Sequence, residues 1–110
     1  MTAATTLAPD VVPMAPLACP SHLTTDTRVE FRTQALDALD AATAMGAPAV
    51  ELFLGAVVDI DASGLGVLIL LQKRARERNM RVRLHAVPSP VERLFEETRM
   101  GPLFDIVRSN

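Results

Sequence analysis

A chain of 110 residues that is 49% apolar, with four Phe and neither Trp nor Tyr, has the length and composition of one globular domain with an aliphatic core. No apolar run reaches the ~20 residues that a membrane-spanning helix requires, and the lone Cys19 excludes an internal disulfide and a cysteine-built metal cluster. The net charge of −2 is unevenly spread: residues 1–62 hold eight acidic and two basic side chains, residues 63–110 five and nine.

Residues 1–10 are rich in Ala and Thr, carry one charge and are expected to form a disordered tail, which leaves 11–110 as the folded domain. The N-terminal part has no basic region and is interrupted by Pro9, Pro13, Pro16 and Pro20, so a secretory leader is not expected; with a single cysteine, a reducing cytoplasm fits. Residues 11–18 are extended but proline-broken, which allows at most one weak strand at a sheet edge. Thr25 or Asp26 is expected to cap a helix running from Arg28 to about Met45. Val29, Ala35, Leu36 and Leu39 are predicted to face the core, with Arg32, Asp37 and Asp40 in water. Gly46 stops this helix and Pro48 prevents its resumption. Ala49 to Leu54 is a near-continuous apolar run marked only by Glu51, as expected of a strand covered on both faces.

The next stretch organises the rest. Val57-Val58-Asp59-Ile60 is apolar and β-branched, ends in carboxylates and meets Asp61-Ala62-Ser63-Gly64-Leu65-Gly66. Leu65, Leu68, Ile69 and Gln72 then fall at helical spacing. A strand handing over to a helix N-terminus is predicted, with Asp61 as the cap that accepts the free amides of the first turn. Ser63 would sit inside that turn, where the helix dipole favours an acquired negative charge by about 0.3–1 kcal/mol.

Six bases (Lys73, Arg74, Arg76, Arg78, Arg81 and Arg83) follow within eleven residues. With no interleaved aromatic residue they read as a solvated face with cations at the helix C-terminal end, rather than a nucleic-acid site. Asn79 is a left-handed stop, and Arg81 to Ala86 alternates as a strand with Val82, Leu84 and Ala86 on one face. Ser89-Pro90-Val91-Glu92 has the form of a capping box. It opens a helix carrying Val91, Leu94, Phe95 and Thr98 that ends near Met100 and Gly101-Pro102. Leu103 to Val107 closes the chain as a short strand or extended tail. The alternation of strands and helices predicts right-handed crossovers and one mainly parallel α/β layer.

Asp61-Ala62-Ser63-Gly64-Leu65-Gly66-Val67-Leu68 resembles the D-S-S-G-L-G-V-L signature of STAS domains, in particular bacterial anti-sigma factor antagonists. The likeness continues through Gln72 to Arg78, Val82 to Leu84, Ser89 to Phe95 and Thr98 to Ile106, covering about residues 48–107 well and 17–47 loosely. It implies a single-layer, mainly parallel sheet of about four to five strands flanked by three to four helices, and allows the first strand to run antiparallel. It also implies an opening hairpin, of which one weak strand is readable here.

In the family, the serine directly before Gly accepts a phosphate from a partner serine kinase. That position is Ser63, and Ala62 replaces the other serine. The resemblance thus implies a non-enzymatic protein that binds an anti-sigma factor with kinase activity through Asp61, Ala62, Ser63, Gly64, Leu65 and Gly66. It would free a sigma factor until Ser63 is phosphorylated. ATP would belong to the partner; no cofactor, metal, nucleic acid or membrane insertion is expected. Some stand-alone STAS domains instead dock on the ATPase of lipid-trafficking ABC transporters, which is the second reading. Two family acids are missing: the G-x-L-D position is Ser21-His22-Leu23-Thr24, and the usual Asp of the next strand is Phe53.

Catalytic readings are poorly supported. Asp59 and Asp61 alternate as a Mg²⁺ or acid–base pair would, but no third carboxylate or phosphate loop accompanies them. Ser63 has no nucleophile elbow around it. His22, His85 (expected to be exposed on its strand) and Cys19 form no recognisable metal or nucleophile set.

Overall fold

A computed structural model describes residues 16–108, so the expected tail at 1–10 and most of the segment 11–18 lie outside the described residues. The described elements are β1 (Leu17–Ala18), β2 (His22–Leu23), α1 (Arg28–Ala44), β3 (Ala49–Phe53), β4 (Asp59–Ile60), α2 (Ala62–Glu77), β5 (Arg81–His85), α3 (Ser89–Thr98), a 3-10 turn at Gly101–Leu103, and β6 (Asp105–Val107). The main sheet has the order β1-β3-β5-β6 and every pairing in it is parallel; β2 and β4 form a separate, parallel two-stranded ladder.

The mainly parallel sheet is as expected, and beside it β2 and β4 pair with each other as a two-stranded ladder. The first strand is not antiparallel: Leu17 and Ala18 lie in parallel register with Leu52 and Phe53. The N-terminal region holds two strands of two residues each, and they pair with β3 and β4 rather than with one another.

Val50, Leu52, Val82 and Leu84 turn to the core, where they meet Phe31, Leu39, Leu68, Leu71, Val91 and Phe95 from the three helices. The opposite face is not covered as expected. Glu51 is half-buried, Phe53 is 40% exposed, and the positions in register with them across the sheet include Arg83, His85 and Asp105. Arg83 bridges Glu51 (3.3 Å) and Asp105 (3.6 Å), Arg81 also reaches Asp105 (3.4 Å), and His85 Nε2 contacts Glu51. His85 is therefore half-buried in an ionic row across the sheet rather than freely exposed. Arg78 pairs with Asp40 at 2.9 Å, so three of the six clustered bases are held by carboxylates of this chain.

Helix α1 keeps its predicted face except in its first turn, where Phe31 rather than Val29 enters the core. Phe31, Ala35, Leu39 and Ala42 are buried, whereas Leu36 is half-buried and Val29 is 70% exposed. Of the two apolar side chains in that turn, Phe31 removes more apolar surface from water. Neither Thr25 nor Asp26 caps this helix. Thr27 is the cap residue, and its hydroxyl donates to the His22 carbonyl (2.6 Å) and accepts from Thr24 N (3.1 Å), which fixes the β2–α1 loop.

Asn79 adopts φ 58° and stops α2 as expected. The capping box at Ser89 does not form. Pro88 is the cap, its carbonyl receives the amides of Val91 and Glu92, and the Glu92 side chain pairs with Arg108 at 2.9 Å. Arg99, at φ 59°, ends α3, and Phe104 folds back to stack on Phe95 with ring centroids 5.3 Å apart. Cys19 is buried, and desolvation pushes its thiol up to about 12, which keeps it protonated and unreactive.

Candidate functional site

The site is built where β4 ends and α2 begins. Asp61 is extended (φ −124°, ψ −173°), so its carboxylate folds over the start of the helix. One oxygen accepts from Ser63 N (2.8 Å) and Gly64 N (3.1 Å), and the other from Thr25 N (3.2 Å). One side chain thus satisfies two helix amides and ties down the loop between β2 and α1.

The Gly64 amide is the main influence holding the Asp61 carboxyl below its ordinary value; partial desolvation opposes it, and the Thr25 and Ser63 amides assist. A lowered folded value means that ionised Asp61 stabilises the domain above its unfolded value and that this contribution fades as pH falls through the folded one. Wild-type stability is therefore expected to drop more steeply than that of Asp61→Asn as the pH is lowered past about 4, the ordinary carboxylate value. Urea midpoints measured from pH 7 downward check this, and parallel profiles would refute it.

Thr25 is the site residue that sequence reasoning missed. It was expected to cap α1; instead its hydroxyl lies 2.9 Å from the Ser63 hydroxyl in a solvent-exposed hydrogen bond that either group can donate. The backbone and side chain of one residue therefore serve both Asp61 and Ser63. The only sequence signal was a run of short polar residues, Thr24 to Thr27, ahead of the helix.

Ser63 stands at the edge of a groove of about 680 Å³ between α1 and α2. On α2 the groove is lined by Ala62, Ser63, Gly66, Val67 and Leu70, and on α1 by Arg28, Val29, Arg32 and Thr33. Both sets recur at four-residue spacing, so each helix turns one stripe to the other across an open slot. Exposed Val29, misplaced by the sequence pattern, belongs to this surface.

Not all of the expected contact residues face it. Ala62, Ser63 and Gly66 do, while Gly64 and Leu65 are buried and Asp61 works inward on the helix amides. Gly64 is pressed against β2 inside the domain, where a Cβ would lie 2.1 Å from the Leu23 carbonyl oxygen, whereas one on Gly66 would meet nothing within 4 Å. Asp59 is drawn to His22 (3.5 Å), not to Ser63. Among the described residues, no three His, Cys, Asp or Glu side chains are grouped as metal ligands, and no helix is long and apolar enough to cross a membrane.

A family model described as "Mlab, STAS domain" matches residues 17–107, the strand-to-groove unit just described. The chain belongs to the STAS domain family.

Among solved structures, this STAS domain is similar to a putative anti-sigma factor antagonist (tm1081) from Thermotoga maritima. That match has a TM-score of 0.68 at 19% identity and covers 93% of this chain and 91% of that one. It is also similar to the anti-sigma factor antagonist SpoIIAA in its unphosphorylated form, with a TM-score of 0.58 at 15% identity, covering 86% of this chain and 76% of the other. At these identities the likeness is one of fold. No curated protein matches the chain. The STAS assignment agrees with the resemblance seen at Asp61 to Leu68, and the shared fold agrees with the predicted parallel α/β layer.

Proposed function

We propose that this STAS domain is an anti-sigma factor antagonist. On this reading its α1–α2 face docks an anti-sigma factor with serine-kinase activity, in the cytoplasm, and phosphorylation of Ser63 ends the contact. The observation that carries the reading is the position of the Ser63 hydroxyl: at the lip of an open groove, held by one exposed bond to Thr25. Such a bond contributes only about 0.5–1.5 kcal/mol, so the hydroxyl is readily released to a visiting kinase.

The chemistry asked of this chain is limited to supplying an acceptor. The Ser63 oxygen forms a bond to the γ-phosphorus of the partner's ATP, the bond from that phosphorus to the β–γ bridging oxygen breaks, and ADP leaves. The serine proton passes to a base on the partner. The product carries about −1.5 to −2 charge, two residues along the chain from the Asp61 carboxylate. A docked surface would then have to bury charge at its rim, while the fold, whose core lies beneath Gly64 and Leu65, would stand.

The test is incubation of the full chain with a cognate anti-sigma kinase and ATP. One phosphate is expected, at Ser63, and none in Ser63→Ala. Ser63→Asp is expected to keep its circular dichroism and unfolding midpoint yet bind the kinase more than a hundredfold more weakly, the equivalent of about 3 kcal/mol. Phosphate added elsewhere, or unaltered binding by Ser63→Asp, would remove the proposal.

The second reading that the STAS resemblance carries is docking on the ATPase of a lipid-trafficking ABC transporter. In that case the chain co-purifies with an ATPase–permease complex, and Ser63→Ala is without effect on a phosphate that is never added.

A further inference from the structure

The groove beside Ser63 carries positive charge that nothing in the described chain neutralises. Arg28 and Arg32 sit one turn apart on α1 and line the same slot as Ser63. Neither joins an ion pair or a side-chain hydrogen bond among the described residues, whereas Arg78, Arg81, Arg83 and Arg108 each hold a carboxylate. Two guanidinium groups left free at the rim of a partly apolar slot have the planar, multi-donor form that suits a phosphate.

We propose that Arg28 and Arg32 form a built-in receptor for the phosphate on Ser63, so that the modified chain closes its own docking groove. The inference rests on Ser63 being a phospho-acceptor and adds how the modification works. Repulsion alone would leave the groove open; two arginines drawn across it from α1 would fill it and withdraw the positive charge that a partner's carboxylate could use. Two guanidinium charges offset a phosphate of about −1.5 to −2. The opposing groups are Asp61, already engaged with three amides, and the exposed Asp26 and Glu30 at the start of α1. Thr25, hydrogen-bonded to Ser63 in the unmodified chain, would give up that bond.

The experiment uses the full chain with phosphoserine placed at position 63 during translation, so it does not depend on finding a kinase. The phosphate is titrated by phosphorus NMR. Its second ionisation is expected about half to one unit below the ordinary value near 6, returning toward that value in the Arg28→Gln/Arg32→Gln double variant and largely retained in Arg28→Lys/Arg32→Lys. Both arginines are exposed, so the variants are expected to fold, and unchanged circular dichroism checks this. A second readout is the arginine Nε–H signals, expected to become protected only in the phosphorylated chain. A midpoint that is identical in wild type and in the Gln variant overturns the proposal, including the case where it is lowered in both by the helix amides alone. Failure of a kinase to modify Ser63 would instead sink the switch reading and leave this titration untouched.

Discussion

Gly64→Ala is expected to destabilise the domain by roughly 3 kcal/mol, the upper end of what overpacking a filled site costs. The new methyl carbon would lie 2.1 Å from the Leu23 carbonyl oxygen and 2.7 Å from the Leu23 Cβ. The obstacle is largely backbone, which cannot rotate away as a long side chain would. The same carbonyl receives the Asp61 amide at 3.1 Å, so relief by moving β2 away from α2 would also loosen the Asp61–Thr25–Ser63 arrangement. Gly66→Ala, two residues on and facing open space, is the matched control. It is expected to be neutral or to stabilise by up to about 1 kcal/mol, because alanine is the better helix former. Urea denaturation of the two variants checks the pair. Equal midpoints would show that α2 does not press on β2 as described.

Phe31→Ala is expected to cost about 3–5 kcal/mol, a large share of the roughly 5–15 kcal/mol that holds a domain together. Phe31 is 1% exposed and packs in the central cluster with Leu39, Leu68 and Leu71. Val29→Ala, on the same helix but 70% exposed, is expected to change stability by no more than about 0.5 kcal/mol. Thermal or urea unfolding checks both. The reverse ranking would mean that Val29, as first read from the sequence, and not Phe31 enters the core at the start of α1. Because Val29 lines the groove with Ser63, its substitution is the one expected to weaken partner binding without touching the fold.

These two contrasts show which kinds of information are local. The strand-to-helix turn at Asp61 was readable because capping is a short-range affair: the cap side chain takes the amides two and three residues ahead, Ser63 and Gly64, whereas its further bond, from the Thr25 amide, comes from far along the chain. The stop at Asn79 and the alternation of Arg81 to His85 were readable for the same reason, but Ala86, expected on the core face of that strand, lies beyond its end at φ 56° and is exposed. The capping box at Ser89 misled because Pro88 starts the helix one residue early and leaves the serine hydroxyl nothing to cap. The first turn of α1 misled because both Val29 and Phe31 are apolar there, and only the shape of the sheet beneath the helix decides between them.

The amino-acid sequence by itself determined the order of strands and helices, the parallel α/β class, the cap at Asp61 and the place of Ser63 in the first helical turn. Each follows from residues within one or two turns of one another. Tertiary structure alone decided that β2 and β4 leave the main sheet, that Thr25 is joined to Ser63 across 38 positions of chain, and that Arg28 and Arg32 share a groove with them. Those contacts depend on how two helices and a loop pack on a common core, and no local spacing of residues encodes the distance between them.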